Sequence, residues 1–354
     1  MCLPNPNWLF GSLTWRLIQI GKALNIQLAA GSIRYWNPMN KLILLSLAQM
    51  QIPNRINNSI NLAFFMFGDS TVDPGNNNNF QTILKGNFPP YQYGNDFVNQ
   101  TPTGRLTNGR LVTDYAVSYA GVKDYVPPYS DPKLSTEELL TGVSFASAGS
   151  GFDPLTPKLN GAVVSMPKQM EYFREYKSRV EAQIGKERTE VLIKNVVYII
   201  SAGTNDYVFN YFGVSRVRRF SYSIVRYYQF LVQQIQQFIQ DLLDFGAEKI
   251  VMVGLPPIGC LPVVITLNSG HIDRFLKRQC IPRLSEVAQG FNVVDTGCCG
   301  TGLLELSCLC NPRSSLCPNV SEYMFFDSVH PTERIYYLLF KALSPTIDLI
   351  LQGK

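Results

Sequence analysis

The sequence predicts an α/β fold in which a mainly parallel sheet is covered by helices on both faces. Four short apolar runs, rich in β-branched or aromatic residues, are typical of strands. Amphipathic helical patterns lie between them, and strands that alternate with helices favour a parallel sheet. The chain has 354 residues, of which 46% are hydrophobic, so it can bury the core of one large domain or of two small ones.

The four strands are predicted, in chain order, at residues 62–67 (LAFFMF), 143–147 (VSFAS), 196–200 (VVYII) and 249–254 (KIVMVG). The first run contains FFMF, a series of large apolar residues without a polar interruption, which indicates a fully buried strand. Such a strand needs a partner layer on each face of the sheet, and the helical patterns supply these layers.

Two helices are predicted between these strands. Residues 165–185 form the more polar one, which ends at Gly185. Residues 221–246 form the second, in which apolar side chains recur every three or four positions and Gly246 provides a C-cap. Its apolar positions are Ile224, Tyr227 or Tyr228, Leu231, Ile235, Phe238 and Leu242.

Residues 1–61 are predicted to be an N-terminal extension, and residues 62–354 the folded domain. From Met39, the segment MNKLILLSLAQ places a lysine before a short apolar run, which resembles a minimal signal peptide. Residues 1–38 have no continuous apolar core, and they are equally well explained as an upstream extension of a chain that starts at Met39. No run reaches the ~18 apolar residues that a membrane-spanning helix needs.

The charge pattern disfavours a nucleic-acid partner. The net charge is +5, and the basic residues are scattered, with the densest group at 215–220. A Cys/His metal site is also disfavoured, because the chain has no pair of CxxC motifs and its only two histidines, His271 and His330, lie far apart. We therefore expect neither a metal nor an organic cofactor.

The cysteines indicate an oxidising compartment. Seven of the eight lie between Cys260 and Cys317, and the last five fall in a stretch rich in Gly, Pro, Asn and Ser. Such clustering is typical of a disulfide-stapled region, and glycosylation sequons at Asn57, Asn99 and Asn319 agree with it. We expect a secreted protein.

A cluster of small polar residues follows the first strand, in the stretch FFMFGDSTVDPGNNNN at 64–79. In a parallel α/β sheet, functional loops lie at the carboxyl ends of the strands. Gly68 allows a tight turn there, which would present Ser70 at the edge of the sheet. The alternative is that Asp69, Ser70 and Thr71 only cap a following helix.

Three further stretches favour a catalytic site. The strand at 196–200 is soon followed by Asn205, whose amide can donate a hydrogen bond at the same edge of the sheet. Gly109 follows an asparagine and precedes a helical pattern, and a glycine there lets a backbone N–H approach a ligand closely. Asp327 lies three residues before His330, a spacing that can orient the imidazole ring.

Acyl transfer requires a nucleophile, a base, a group that orients the base, and donors for the developing oxyanion. The four stretches supply Ser70 as the nucleophile, His330 as the base and Asp327 as the group that orients it. The N–H groups of Ser70 and Gly109 and the amide of Asn205 supply the donors. No G-x-S-x-G elbow occurs, so the usual α/β-hydrolase arrangement is excluded.

From about residue 63 to the C-terminus, seven motifs occur in the order typical of one family. They are FGDSTVDPGNNN, TGRLTNGR, GVSFASAGSGFDP, SAGTNDY, GLPPIGCLP, GCCGTG and FDSVHPTE. The sequence therefore resembles the GDSL esterase/lipase family, the plant branch of the SGNH hydrolases. The resemblance implies a three-layer α/β/α sandwich of the flavodoxin-like kind around a mainly parallel sheet, and a secreted hydrolase of acyl esters. The four residues that give the superfamily its name correspond to Ser70, Gly109, Asn205 and His330, with Asp327 completing the triad.

Two single-residue departures from the family pattern leave the catalytic groups in place: Thr71 stands where the family has Leu, and Phe326 where it has Trp. A third departure is larger. Between residues 292 and 297 only VVDT remains of a helix, a strand and a loop that the family has there. We predict that one αβ unit of about 30 or more residues, including a central strand, is missing between Asn292 and Val293. Its loss would expose the apolar face of a neighbouring strand, because 291–294 is too short to replace it.

The resemblance also guides the pairing of the cysteines. We predict a bridge between Cys260 and Cys280 and further pairs within residues 298–317. Cys308 has no place in the family pattern, so its thiol is predicted to remain free. Adjacent cysteines such as Cys298 and its neighbour rarely bind one metal, which favours disulfides over a metal or redox site.

The main hypothesis is a secreted carboxylic-ester hydrolase that works through an acyl-serine intermediate. We expect a monomer that acts on a small-molecule or lipid ester, with no nucleic-acid partner and no transmembrane segment. The rival hypothesis is a catalytically impaired or non-catalytic member of the family, in which the missing unit disables the domain. His271 lies in a polar, glycine-containing stretch and is predicted to be a solvated surface residue.

Overall fold

The computed structural model describes residues 62–87, 92–161, 163–213, 215–256, 258–268, 278 and 293–352, and it gives the backbone of two short strands before residue 62. One of these two strands lies in the predicted signal peptide. The rest of that peptide, His271 and Cys280 lie outside the described residues.

Strands and helices alternate through most of the described chain, as predicted. The strands are β1 (Gln27–Leu28), β2 (Ser46–Gln49), β3 (Phe64–Gly68), β4 (Val197–Ser201), β5 (Lys249–Met252), β6 (Val293–Gly297) and β7 (Tyr323–Phe325). The helices are α1 (Val112–Tyr119), α2 (Thr136–Thr141), α3 (Thr156–Leu159), α4 (Met166–Ile184), α5 (Lys186–Asn195), α6 (Val217–Ser221), α7 (Ile224–Asp244), α8 (Pro262–Asn268) and α9 (Glu333–Leu351). Short 3₁₀ helices lie at Asn76–Asn79, Val98–Gln100, Ile258–Cys260, Ser307–Leu309 and Val320–Glu322, and a π-helix at Asp206–Tyr211.

The main sheet has the strand order β1-β2-β5-β4-β3. Strands β3, β4 and β5 run parallel, with Phe64 opposite Val197 and Val197 opposite Lys249. Strand β2 is antiparallel to β5, and β1 is antiparallel to β2. The first, third and fourth predicted strands are thereby confirmed, with small shifts at their ends.

The prediction of a full strand at 143–147 is wrong. The segment lies beside β3, with three backbone hydrogen bonds to it and an isolated bridge between Met66 and Ser144, and a second isolated bridge joins Ser144 to Pro128. On its other side, the side-chain amide of Asn76 donates to the carbonyls of Ser144 and Ala146, both at 2.8 Å. These side-chain hydrogen bonds supplement the backbone hydrogen bonds, and the segment is paired with β3 through isolated bridging without being a continuous strand.

The edge of the sheet beyond β5 also differs from the prediction. In flavodoxin-like folds the strand order 2-1-3-4-5 places the fifth strand beside the fourth. A missing fifth strand would therefore lie at the edge beside β5 and would not be central. Strand β2 occupies this place, and Ile250, Val251 and Met252 are buried, so the predicted exposure of this apolar face is not observed. Strand β6 pairs with β7 in a separate two-stranded sheet.

Side chains on the two faces of β3 enter different parts of the core. Phe65 and Phe67 pack with residues of α4 and α7, whereas Phe64 and Met66 pack with residues of α1 and α9. Helices therefore cover both faces of the sheet, which confirms the predicted three-layer sandwich. Within the described residues, no helix is both long enough and apolar enough to cross a bilayer.

Candidate active site

Ser70 lies directly after β3, in a turn that only glycine can begin. Gly68 has a φ of +139°, and a Cβ there would collide with the backbone carbonyl of Ser201 at the end of β4. The Asp69 N–H donates to that same carbonyl at 2.9 Å. The chain leaves the sheet at this point, and Ser70, which is only 5% exposed, faces a cavity and not the open surface.

The two residues that flank Ser70 hold the turn together. The Asp69 carboxylate accepts hydrogen bonds from the Thr71 N–H at 3.0 Å and from the Thr71 hydroxyl at 2.7 Å. Thr71 Oγ1 also lies 2.6 Å from Ser201 Oγ. Burial raises the pKa of Asp69 to about 6, although the hydrogen bonds from Thr71 act in the opposite direction. Thr71 thus ties the turn to β4 through its hydroxyl, which a leucine lacks.

The acid and the asparagines that follow have structural roles. Asp73 accepts hydrogen bonds from the N–H groups of Gly75, Asn76 and Ala148, all within 2.7–2.8 Å. Burial raises the pKa of Asp73 to about 6. The Asn77 amide donates to the carbonyl of Ala148 at 3.0 Å. The small polar residues therefore bind the buried backbone beside β3, where no further strand completes the ladder.

The Asp327–His330 pair has the geometry that orients an imidazole base. His330 Nδ1 lies 2.6 Å from Asp327 Oδ2. The other carboxylate oxygen, Oδ1, accepts from the backbone N–H groups of Val329 and His330 at 2.8 and 2.7 Å. Asp327 is fully buried and His330 is 4% exposed. The three-residue spacing therefore lets one aspartate fix both the turn and the ring.

A small cavity brings three of the predicted site residues together. Ser70, Asn205 and His330 line it. The remaining lining residues are Leu84, Leu106, Gly149, Phe209, Leu306 and Val329. Polar groups from the turn after β3, from the loop after β4 and from the loop before α9 thus face one apolar space.

Asn205 is oriented by a single hydrogen bond. Its Nδ2 donates to the Ser150 carbonyl at 2.8 Å, and the residue is 4% exposed. An amide nitrogen carries two N–H groups, and the described residues offer no partner for the second, which is therefore open to a ligand in the cavity. The next residue, Asp206, accepts from the N–H groups of Phe152 and Asp153 at 2.9 and 3.1 Å. Asp206 thereby holds the segment whose Ser150 carbonyl positions Asn205.

Gly109 is buried but is absent from the described residues that line the cavity. Its Cα faces the carboxylate of Glu333, with no space for a side chain between them. The neighbouring Asn108 accepts the Glu333 N–H through Oδ1 at 2.8 Å, and Thr107 Oγ1 donates to the Pro331 carbonyl at 2.9 Å. The turn that carries Gly109 is therefore fastened to the segment directly after His330.

Comparison with known proteins decides the family of this site. The family described as GDSL-like Lipase/Acylhydrolase matches residues 64–343, which include Ser70, Gly109, Asn205, Asp327 and His330. The chain belongs to this family.

Three relatives from Arabidopsis thaliana illustrate the similarity. The chain is 49% identical over 332 residues to GDSL esterase/lipase At5g45960, covering 82% of this chain and 87% of the relative. It is 41% identical over 327 residues to GDSL esterase/lipase At1g20120, covering 80% of this chain and 79% of that relative. It is 38% identical over 347 residues to GDSL esterase/lipase At2g40250, covering 85% of this chain and 95% of that relative. The chain is a serine hydrolase of carboxylic esters, and no comparison favours a non-catalytic member.

The alignments also reveal a difference in length. The 82% of this 354-residue chain that aligns with At5g45960 amounts to about 290 residues, whereas the alignment has 332 positions. About 40 positions of that GDSL relative therefore have no counterpart here, and the other two alignments give differences of similar size. This size fits the αβ unit predicted to be missing, whose location stays a prediction.

Two disulfides cross-link the loop that precedes Asp327 and His330. Cys298 is bonded to Cys317 and Cys299 to Cys310, and Cys308 is free and exposed, as predicted. Cys260 is also disulfide-bonded, and its predicted partner lies outside the described residues. The cross-linked loop therefore follows the predicted pairing wherever the structure describes it.

Two buried side chains at this GDSL site were missed by the sequence reasoning. Asp206 directly follows Asn205, so its position in the SAGTNDY motif was a usable signal. Burial raises the pKa of Asp206 to about 7. Tyr93 donates its hydroxyl to Asp327 at 2.6 Å across 234 positions of sequence. No local pattern pairs residues so far apart.

Proposed function

We propose that this hydrolase cleaves esters with Ser70 as the nucleophile, His330 as the general base and Asp327 as the residue that orients His330. The observation that supports this most directly is the shared cavity. Ser70, His330 and Asn205 line it, although they follow three separate elements of the fold.

In the first half of the reaction, Ser70 Oγ attacks the carbonyl carbon of the ester, and His330 Nε2 takes its proton. The carbonyl oxygen becomes an oxyanion, which we assign to the N–H group of Ser70 and the free amide N–H of Asn205, because both residues line the cavity. The N–H of Gly109, which is not among the described lining residues, is proposed as the third donor. One such side-chain donor contributes about 3 to 4 kcal/mol to the transition state. The oxyanion then collapses, the C–O bond breaks, and the alcohol leaves with the proton from His330.

In the second half, His330 activates a water molecule that attacks the acyl-Ser70 carbonyl. The acid is released, and Ser70 recovers its proton. During both halves, Asp327 holds the Nδ1 proton of His330 and stabilises the imidazolium that forms. The fixed Asp327 carboxylate, with two backbone N–H groups on Oδ1, keeps this orientation without substrate.

The apolar walls of the cavity favour an ester with an apolar acyl group. Leu84, Leu106 and Phe209 are among its lining side chains, whereas charged residues other than His330 are absent from its described walls. We propose a small-molecule or lipid ester as the substrate, its acyl group lying against these side chains.

We also propose a secreted, monomeric protein in which 62–354 is the catalytic domain and 1–61 an extension. The disulfides support an oxidising compartment, since reduced compartments rarely preserve such bonds. The sequon residues Asn99 and Asn319 are exposed, which suits glycosylation. Asn57 lies outside the described residues.

The catalytic assignment is tested with Ser70→Ala, His330→Ala and the double variant, assayed on p-nitrophenyl acetate and butyrate. Each single variant should lose roughly 10⁴-fold or more of kcat, and the double variant scarcely more, because triad residues act as a unit. His271→Ala is the matched control and should retain the parent activity. Circular dichroism confirms that each variant is folded. Parent-level activity in Ser70→Ala would exclude Ser70 as the nucleophile.

A further inference from the structure

The hydroxyl of Tyr93 shares one carboxylate oxygen with the catalytic imidazole. Tyr93 Oη donates to Asp327 Oδ2 at 2.6 Å, and His330 Nδ1 lies 2.6 Å from the same atom. The aspartate is fully buried, and Tyr93 is 3% exposed. Water therefore has little access to this oxygen, and its negative charge is divided between two hydrogen-bond donors.

The Tyr93 hydroxyl donates its one hydrogen bond to Asp327. Tyr93 Oη accepts the backbone N–H of Ser307 at 2.9 Å, so its single proton is directed at Asp327. Burial, followed by the nearby Asp327 carboxylate, raises the pKa of Tyr93 well above its usual value of 10. The phenol thus stays protonated across the range in which a histidine base works.

The ring of Tyr93 is held as firmly as its hydroxyl. It packs against Phe326, with 5.3 Å between the ring centroids, and belongs to an apolar cluster that contains Cys298, Cys299 and Cys310. Through Ser307 the hydroxyl is also bonded to the loop that the disulfides close. The donor therefore has a fixed position relative to the triad.

We propose that Tyr93 is a positioning residue of the triad, which fixes the Asp327 carboxylate and sets the pH range in which His330 accepts a proton. The proposal rests on the roles of Asp327 and His330 given above. A carboxylate that accepts a hydrogen bond from a phenol stabilises an imidazolium less than a carboxylate that accepts no such bond. Tyr93 thereby keeps His330 in its neutral, active form to lower pH.

Other ionisable groups face this cluster from neighbouring elements. Asp69 in the turn after β3 interacts with His330, Tyr336 in α9 faces both Asp69 and Asp327, and the Cys308 thiol faces Tyr93. Glu333, also in α9, is bonded to the hydroxyl of Tyr115 at 2.8 Å. Among the described residues, two side chains are hydrogen-bonded to the Asp327 carboxylate, those of Tyr93 and His330.

The test is an NMR titration of the His330 imidazole in the full chain, which contains only two histidines. His271→Ala assigns the signals. In Tyr93→Phe, the titration midpoint of His330 should rise by about 0.5 to 1 pH unit, because the carboxylate keeps more of its charge for the imidazolium. The acidic limb of kcat/KM should move in the same direction, while KM changes little.

Tyr336→Phe is the matched control. Tyr336 is 2% exposed and lies near the same carboxylates, but its hydroxyl has no hydrogen-bond partner among the described residues. Its midpoint should stay within about 0.2 pH unit of the parent. If Tyr93→Phe does not fold, 3-fluorotyrosine at position 93 replaces it, since this more acidic phenol should lower the midpoint.

An unchanged midpoint in Tyr93→Phe, or a rise with 3-fluorotyrosine, would overturn the proposal and leave Tyr93 a packing residue. The titration needs no turnover, so it is separate from the test of the proposed function. A shifted midpoint with full activity in Ser70→Ala would instead refute the catalytic assignment and keep the Tyr93–Asp327 coupling.

Discussion

Removal of the Cys299–Cys310 disulfide should weaken both the fold and the active site. Both cysteines are buried, so we choose Cys299→Ala with Cys310→Ala to avoid burying a hydroxyl. The Cys299 N–H donates to the carbonyl of Phe326 at 2.8 Å, one residue before Asp327. The cross-linked loop therefore supports the backbone that carries the triad.

The expected loss follows from the length of the closed loop. The two cysteines are 11 positions apart, for which the chain-entropy estimate gives about 3 kcal/mol. The Cys298–Cys317 bond, with a separation of 19, gives a slightly larger value, also about 3 kcal/mol. Either loss is a large fraction of the roughly 5 to 15 kcal/mol that stabilises a typical domain.

The measurement is urea unfolding of the parent and the double variant, with initial rates on p-nitrophenyl acetate under native conditions. Cys308→Ala is the matched control, since this thiol is free and exposed in the same loop. It should leave the free energy of unfolding and the rate unchanged. If the free energy of unfolding of the double variant falls by less than about 1 kcal/mol, and by no more than that of Cys308→Ala, the loop is stable without its cross-link.

Two other predictions concern stability. Burial raises the pKa of Asp206 from 3.8 to about 7, so the folded protein binds the carboxyl proton more tightly than the unfolded chain does. The free energy of unfolding should therefore fall as the pH rises from about 4 to 7. Melting temperatures at pH 5 and pH 8 should show this fall in the parent and a smaller one in Asp206→Asn; an equal fall in both would exclude Asp206 as its source. Insertion of an αβ unit of about 40 residues from a relative between Asn292 and Val293 should raise the melting temperature and the soluble yield, because a longer strand with its covering helix would bury more apolar surface beside β5 than the four-residue β2 does. Equal melting temperatures and equal activity would mean that the unit is dispensable.

The sequence was most informative where chemistry lies next to a strand. Ser70 and Asn205 could be placed together because apolar runs identify β3 and β4, and parallel strands bring their carboxyl ends to one edge of the sheet. Asp327 and His330 could be paired because three positions of spacing allow direct contact. In each case a local pattern combined with one topological rule was sufficient.

The failures share a different cause. The segment at 143–147 has strand composition, but one of its sides is bonded partly by the amide of Asn76, which lies 68 positions from Ser144. Tyr93 meets Asp327 only because the loop between them returns to the same cluster. Contacts of this kind depend on the folded arrangement of loops, and neither periodicity nor residue type encodes them locally.

The position of the site in the sheet explains how Ser70, Asn205 and His330 come to line one cavity although about 40 residues of a relative have no counterpart. Strand β3 lies at one edge of the main sheet, and β5, where a fifth strand belongs, lies two strands away. The loop with His330 is held from two sides: Thr107 Oγ1 donates to the Pro331 carbonyl and Asn108 Oδ1 accepts the N–H of Glu333. From α8, which follows β5, the Val263 N–H donates to the Ser328 carbonyl at 3.0 Å. Because only part of this support comes from the element after β5, loss of a unit beside β5 should reduce the stability of the domain more than it disturbs the contacts that hold the His330 loop.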